Sequence, residues 1–263
     1  MLKIEQPTWD GILYEVHGRK YKVMIVMSGS DGGLEHAGKL AKFLADHEIP
    51  ALVLALFRTK HTGKALDRIP VERIGTVMAW LKKRDYQKIG IEGVSKGAEY
   101  ALAAAIHYSE IACVIVKTPS WFYSEGLVNG QPAGHSCWTW NGKELPYTAY
   151  TQRQYNALKL FREAGEFHLL PLNRGKKIFP ESVIPVEKIQ APILMMSTKV
   201  DTVWDSAESC EKLTGRLLEY DFTHPHRHIC FEKMSHMMLE NCGKGIRFFI
   251  KSEKQFPEIC AKE

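Results

Sequence analysis

Gly93-Val94-Ser95-Lys96-Gly97 lies between an apolar run, Lys88-Ile89-Gly90-Ile91-Glu92, and a helix-forming one, Ala98-Glu99-Tyr100-Ala101-Leu102-Ala103-Ala104-Ala105. Strand, Gly-x-Ser-x-Gly, helix is the order a nucleophile elbow requires. A serine at the tip of so sharp a turn must take up a strained backbone, and its neighbours two residues away on each side come very close together. Glycine at both flanks, here Gly93 and Gly97, removes the side chains that would collide. The pentapeptide alone is a weak signal, because short Gly/Ser strings also mark ordinary turns. Its placement between a strand and a helix makes Ser95 a candidate nucleophile, where the bland alternative is a serine that caps the helix.

Working outward, strands and helices alternate from about residue 20. Tyr21–Met27 is a β-rich run ending in the loop Ser28-Gly29-Ser30-Asp31-Gly32-Gly33. From Leu34 to His47 the apolar residues recur at helical spacing (Leu34, Ala37, Leu40, Ala41, Leu44). Ala51–Phe57 is a continuous apolar run, as expected for a parallel strand covered on both faces. A helix over Val71–Lys83 precedes the elbow strand, and a strand over Ala112–Val116 follows the helix after Ser95. The rhythm breaks from 118 to about 185, where Gly, Pro, Trp and Tyr accumulate, and we expect there a cap or lid excursion, helical near Arg153–Ala164. It resumes with a strand at Ala191–Thr198, a helix at Ser206–Leu218, a strand at His228–Glu232 and a last helix at Gly243–Ile250. Alternation of this kind predicts a mostly parallel central sheet with helices on both faces, in one domain spanning 1–263.

Composition narrows the function classes. The 263 residues are 45% hydrophobic and 25% charged, as in an ordinary globular protein. Net charge is +5, but the basic residues are scattered, so no nucleic-acid partner is expected. A mild positive field suits an anionic substrate without deciding the matter. The six cysteines are far apart and lack a C-x-x-C pair, which argues for reduced thiols. No basic segment followed by an apolar core opens the chain, and no apolar stretch reaches the length of a membrane span. The expected setting is cytoplasmic, without a membrane partner; oligomeric state is not legible.

A serine hydroxyl is a poor nucleophile near neutral pH and needs a base, commonly a histidine oriented by a carboxylate. In the α/β-hydrolase fold these arrive in the order Ser, acid, His, each at the carboxyl end of a strand. Asp201 directly follows the 191–198 strand and is the candidate acid; Asp205 is its rival and looks more like a helix cap. His236 follows the last strand and is the candidate base. The tetrahedral oxygen of an acyl-transfer intermediate needs backbone N–H donors. We assign one to Lys96, the residue after the nucleophile, and the other to Ser30 or Asp31 in the glycine-rich loop. Trp138 and Trp140 could equally line a substrate pocket or form the excursion's own core. His224, His226 and His228 alternate, but no partner carboxylate or cysteine pattern accompanies them, and no metal or other cofactor is expected.

Ser95-Lys96-Gly97-Ala98-Glu99, Asp31-Gly32-Gly33-Leu34-Glu35 and Asp201-Thr202-Val203-Trp204-Asp205-Ser206 together resemble the C-terminal catalytic domain of the acyl-CoA thioesterase and bile acid-CoA:amino acid N-acyltransferase family. The likeness runs from about residue 20 to 245. It implies an α/β-hydrolase with a small-molecule acyl-CoA substrate. Eukaryotic members carry an additional N-terminal β-sandwich, for which this chain leaves no room, and Asp31 stands where the family more often has glycine. Amino-acid-conjugating members use cysteine as nucleophile, so Ser95 favours hydrolysis over transfer to an amine. The other readings are a carboxylesterase of the dienelactone-hydrolase or deacetylase type, an acyl-CoA:amino acid N-acyltransferase, and an inactive hydrolase-like binding protein.

Overall fold

The computed structural model describes residues 1–151, 177–238, 251–260 and 262. The chain opens with an antiparallel hairpin, β1 (Leu2–Gln6) and β2 (Trp9–Tyr14), which the sequence reading did not assign. Only Ile4 of β1 is buried, so the strand carries too little alternation to stand out. There follow β3 (Lys22–Met27), α1 (Glu35–Asp46), β4 (Ala51–Leu54), the short β5 (Ile69–Pro70), α2 (Arg73–Lys82), β6 (Lys88–Val94), α3 (Lys96–His107) and β7 (Ile111–Lys117). After the intervening segment come β8 (Glu125–Val128), β9 (Gln131–Ser136), β10 (Trp138–Trp140) and β11 (Lys143–Glu144), then β12 (Ile193–Thr198), α4 (Ser206–Glu219) and β13 (His226–Phe231).

The main sheet has eight strands in the order β1-β2-β4-β3-β6-β7-β12-β13, parallel from β4 to β13 and antiparallel at the β1-β2-β4 edge. Side chains alternate across it with a clean division of labour. Val26, Ala51 and Val53 face α1 through its small residues Ala37 and Ala41. Ile25, Leu52, Leu54, Ile91 and Val114 belong to the larger core, with Ile74 and Val77 of α2, Ala101 and Leu102 of α3, and Leu213 of α4. All four residues of β4 are buried, which explains its unbroken apolar run.

The chain leaves β3 on one side to reach β4, then returns across it to β6. The carboxyl ends of β3 and β6 therefore flank the point where strand order reverses, the crevice in which open α/β sheets place ligands. Ser28–Gly33 and Ser95 both emerge there.

Residues 118–150 are more regular than expected: β8 and β9 form a hairpin, while β10 pairs with β11 and, in parallel, with β5. The expected helices at 153–164 and 243–250 lie outside the described residues. Among the described residues no helix is long and apolar enough to cross a membrane.

Candidate active site

Ser95 occupies the turn between β6 and α3 with φ 57° and ψ −120°, a conformation L side chains rarely adopt. The flanking glycines are sterically obligatory. A Cβ on Gly93 would stand 2.1 Å from the Gly97 carbonyl oxygen, and one on Gly97 would stand 2.4 Å from the Ser28 carbonyl oxygen. The turn is tied to the sheet by the Ser95 amide, which donates to the Lys117 carbonyl at 2.9 Å. Strain held by surrounding contacts is typical of functional positions.

Three side chains remote in sequence meet here. Ser95 Oγ lies 2.9 Å from His236 Nε2, and His236 Nδ1 lies 2.9 Å from both carboxylate oxygens of Asp201. All three side chains are shielded from solvent. Asp201 Oδ1 also accepts from the amides of Val203 (2.9 Å) and Trp204 (3.2 Å), which aim the carboxylate at the imidazole. Asp205 does a different job: its Oδ1 accepts from the Glu208 amide at 2.8 Å, as the N-cap of α4.

Sequence reasoning missed the residues that hold the histidine. Thr118 Oγ1 donates to the His236 carbonyl at 3.0 Å, and Thr198 Oγ1 donates to the Met234 carbonyl at 2.7 Å. The Trp204 ring meets the imidazole edge-on, centroids 4.7 Å apart, and its Nε1 donates to the Pro119 carbonyl. Trp204 stands in the acid-bearing motif, but no local pattern marks Thr118 or Thr198.

Gly29 packs directly on Ser95, since a Cβ there would lie 2.8 Å from Ser95 Cβ and 3.2 Å from its Oγ. Its loop is shaped by a Gly32 amide to Gly29 carbonyl bond at 3.2 Å and by a Gly33 amide to Phe57 carbonyl bond at 2.9 Å. Asp31 is occupied elsewhere: its carboxylate pairs with His36 Nδ1 at 2.6 Å, and its carbonyl accepts from Arg58 Nη1 at 2.6 Å. The Asp31 hydrogen bond raises the His36 pKa above its ordinary value. Among the described residues neither the Ser30 amide nor the Lys96 amide has an acceptor.

The side chain of Lys96 enters the interior and is 1% exposed. Its Nζ donates to Ser124 Oγ and to Cys137 Sγ (3.3 Å), and pairs with Glu99 Oε1 at 3.1 Å. Glu99, fully buried, also accepts from Ser124 Oγ at 2.7 Å and from Trp138 Nε1 at 3.1 Å. Burial opposes the ammonium charge, but Cys137 and the Glu99 carboxylate beside it hold the Lys96 pKa well above the ordinary lysine value. Burial pushes the Cys137 thiol up to about 12. The Lys and Glu of Ser-Lys-Gly-Ala-Glu thus form a closed polar knot beneath the elbow, and they are three residues apart because one helical turn brings them to the same side.

The knot bears on the two readings left open for the tryptophans. Trp138 is fully buried, packed edge-on against Tyr100 and hydrogen-bonded to Glu99, so it is core. Trp140 stacks on His107 with centroids 3.9 Å apart, at the far end of α3. Twelve residues of helix put it about 18 Å along the axis from Ser95.

His226 lies on the edge strand β13 near Phe222, and His228 Nε2 sits 2.6 Å from Ser197 Oγ. Among the described residues no group of three or more His, Cys, Asp or Glu is arranged to hold a metal.

Comparison with known proteins agrees with this architecture. The family model described as BAAT / Acyl-CoA thioester hydrolase C terminal matches residues 75–241. Comparison with curated proteins finds no match. Among solved structures, the α/β hydrolase GrgF from a Penicillium species superposes with TM-score 0.61 at 17% identity, covering 90% of this chain and 91% of that one. Est1E from Butyrivibrio proteoclasticus, solved with ferulic acid, gives 0.56 at 15% identity over 100% and 97%. A dienelactone hydrolase homologue from Klebsiella pneumoniae gives 0.56 at 11% identity over 89% and 85%. At these identities the likeness is one of fold, and the fold is that of the α/β hydrolases.

Proposed function

Because the chain belongs to the BAAT / acyl-CoA thioester hydrolase C-terminal family, we propose that it is a serine hydrolase that cleaves acyl thioesters of the acyl-CoA class. The observation that carries the reading is the unbroken path Ser95 Oγ, His236, Asp201 on a strained elbow, each link 2.9 Å. Ser95 Oγ attacks the thioester carbonyl carbon while His236 Nε2 takes its proton. Asp201 orients the imidazole and stabilises its protonated form. The amides of Lys96 and Ser30, unpaired and adjoining the serine, receive the developing oxyanion. Collapse of the intermediate expels the thiolate, which is protonated by His236, and leaves an acyl group on Ser95. Water, deprotonated by His236, then releases the carboxylic acid and restores the hydroxyl.

The test is twofold. A fluorophosphonate probe should modify Ser95, located by mass mapping, and Ser95→Ala should abolish labelling and lower kcat about 10⁴- to 10⁶-fold. Modification of any other residue defeats the assignment. In parallel, kcat/KM across a panel of acyl-CoAs should exceed that for a nitrophenyl acetate. The reverse ranking makes the protein a carboxylesterase that uses the same residues.

A further inference from the structure

We propose that Arg58 and Lys64, on the loop joining β4 to β5, bind the phosphate groups of a nucleotide-bearing leaving group; this rests on the thioesterase reading of Ser95. From Arg58 to Leu66 the chain reads Arg-Thr-Lys-His-Thr-Gly-Lys-Ala-Leu, with three cations and no carboxylate. β4 runs parallel to β3, so this loop emerges beside the Ser28–Gly33 loop at the same edge of the sheet. The two are stapled together. Arg58 Nη1 donates to the Asp31 carbonyl, the Gly33 amide donates to the Phe57 carbonyl, and Gly32 lies so close to the Phe57 ring that a Cβ would meet it at 2.8 Å.

The loop is also closed on itself. The Arg58 amide donates to the Gly63 carbonyl at 2.7 Å, and the Thr59 amide donates to Thr62 Oγ1 at 3.0 Å. His61 is anchored to the buried Asp10 through both its amide (2.8 Å) and its Nδ1 (2.7 Å). A pinned backbone presents its exposed side chains with little freedom left to lose on binding.

Four acids of the neighbouring segments are already engaged: Asp10 with His61, Asp31 with His36, Asp67 with Arg68, and Glu5 with both Lys3 and Lys60. Among the described residues Arg58 and Lys64 have no carboxylate partner, and both are exposed. A guanidinium offers a planar fork matched to phosphate oxygens, and the ammonium adds a second charge. Gly29 touches Ser95, and the two residues onward to Asp31 span at most about 7 Å, which places the guanidinium on the order of 10 Å from the nucleophile. A leaving group whose phosphates hang from the thioester sulfur by a long, flexible arm can span that offset.

The experiment compares octanoyl-CoA with octanoyl-N-acetylcysteamine, the same thioester without phosphates. Arg58→Gln and Lys64→Gln should each raise the ratio of the two KM values about fivefold, and the double variant about twentyfold. Lys82→Gln, the same charge loss on α2, should leave the ratio as in the wild type. An unchanged ratio in the double variant overturns the proposal, as does an equal rise in KM for both substrates. Calorimetric binding of adenosine 3′,5′-bisphosphate reads the site without turnover: binding lost in the double variant supports it, and undiminished binding overturns it. If the wild type cleaves neither thioester, the catalytic reading fails, and the calorimetry then decides separately whether the anion site stands.

Discussion

Replacing Lys96 with Met removes one charge from a pair whose side chains are 1% and 0% exposed. Glu99 is then left as a carboxylate in the interior, still hydrogen-bonded to Ser124 and Trp138 but without its counter-charge. Breaking a buried pair from one side costs about 3–5 kcal/mol, far more than the intact pair contributes relative to apolar residues, because the survivor cannot return to water. For a chain of this length each kcal/mol shifts Tm by about 2–4 °C, so the single variant should melt about 6–20 °C lower. Glu99→Gln should cost a similar amount by stranding the Lys96 ammonium. The double variant Lys96→Met/Glu99→Gln holds no buried charge, and its amide oxygen can still accept from Trp138. It should therefore be more stable than the sum of the singles by about 2–3 kcal/mol. Urea unfolding of the four proteins measures this coupling. Single substitutions costing under about 1 kcal/mol, or strict additivity, would refute the view that a closed ionic knot supports the elbow.

Gly29→Ala should depress kcat by at least about tenfold with a smaller effect on Tm, because the new methyl group meets Ser95 Cβ and Oγ and must displace that side chain. Wild-type kcat in that variant would show that the loop yields instead. Asp201→Asn should lower kcat about 10²- to 10⁴-fold by presenting the wrong tautomer of His236. Asp205→Ala should instead cost about 1 kcal/mol of stability through loss of the α4 cap, measured by unfolding; the opposite pattern exchanges their roles. The folded-state pKa of His36 is raised by Asp31, so its stabilising contribution is complete below the ordinary value of 6.5 and disappears as pH climbs through the raised value. The stability margin of wild type over His36→Asn should accordingly be larger at pH 6 than at pH 9. A margin that grows with pH would mean the pair is not what ties α1 to the loop.

What could be read from the chain alone was whatever depends on near neighbours in sequence. The elbow is legible because Gly93 answers a collision with the backbone of Gly97 four residues on, and the strands and helices around it because side-chain periodicity is local. Strand order then nominated Asp201 and His236, and the fold draws Asp201 to within hydrogen-bond range of His236, and His236 to within range of Ser95. Other features rest on which faces meet, and no local pattern encodes that. Trp138 reads as an aromatic that could face a ligand or a core; only the packing of β10 against α3 turned it inward onto Glu99. Lys96 and Glu99 look like an ordinary exposed helical pair until the segment after β7 folds back and supplies Ser124 and Cys137 to bury them. Arg58 meets Asp31 across 27 positions because β3 and β4 lie side by side in parallel. Burial and charge pairing are properties of surfaces brought together by the whole sheet, so tertiary structure alone decided them.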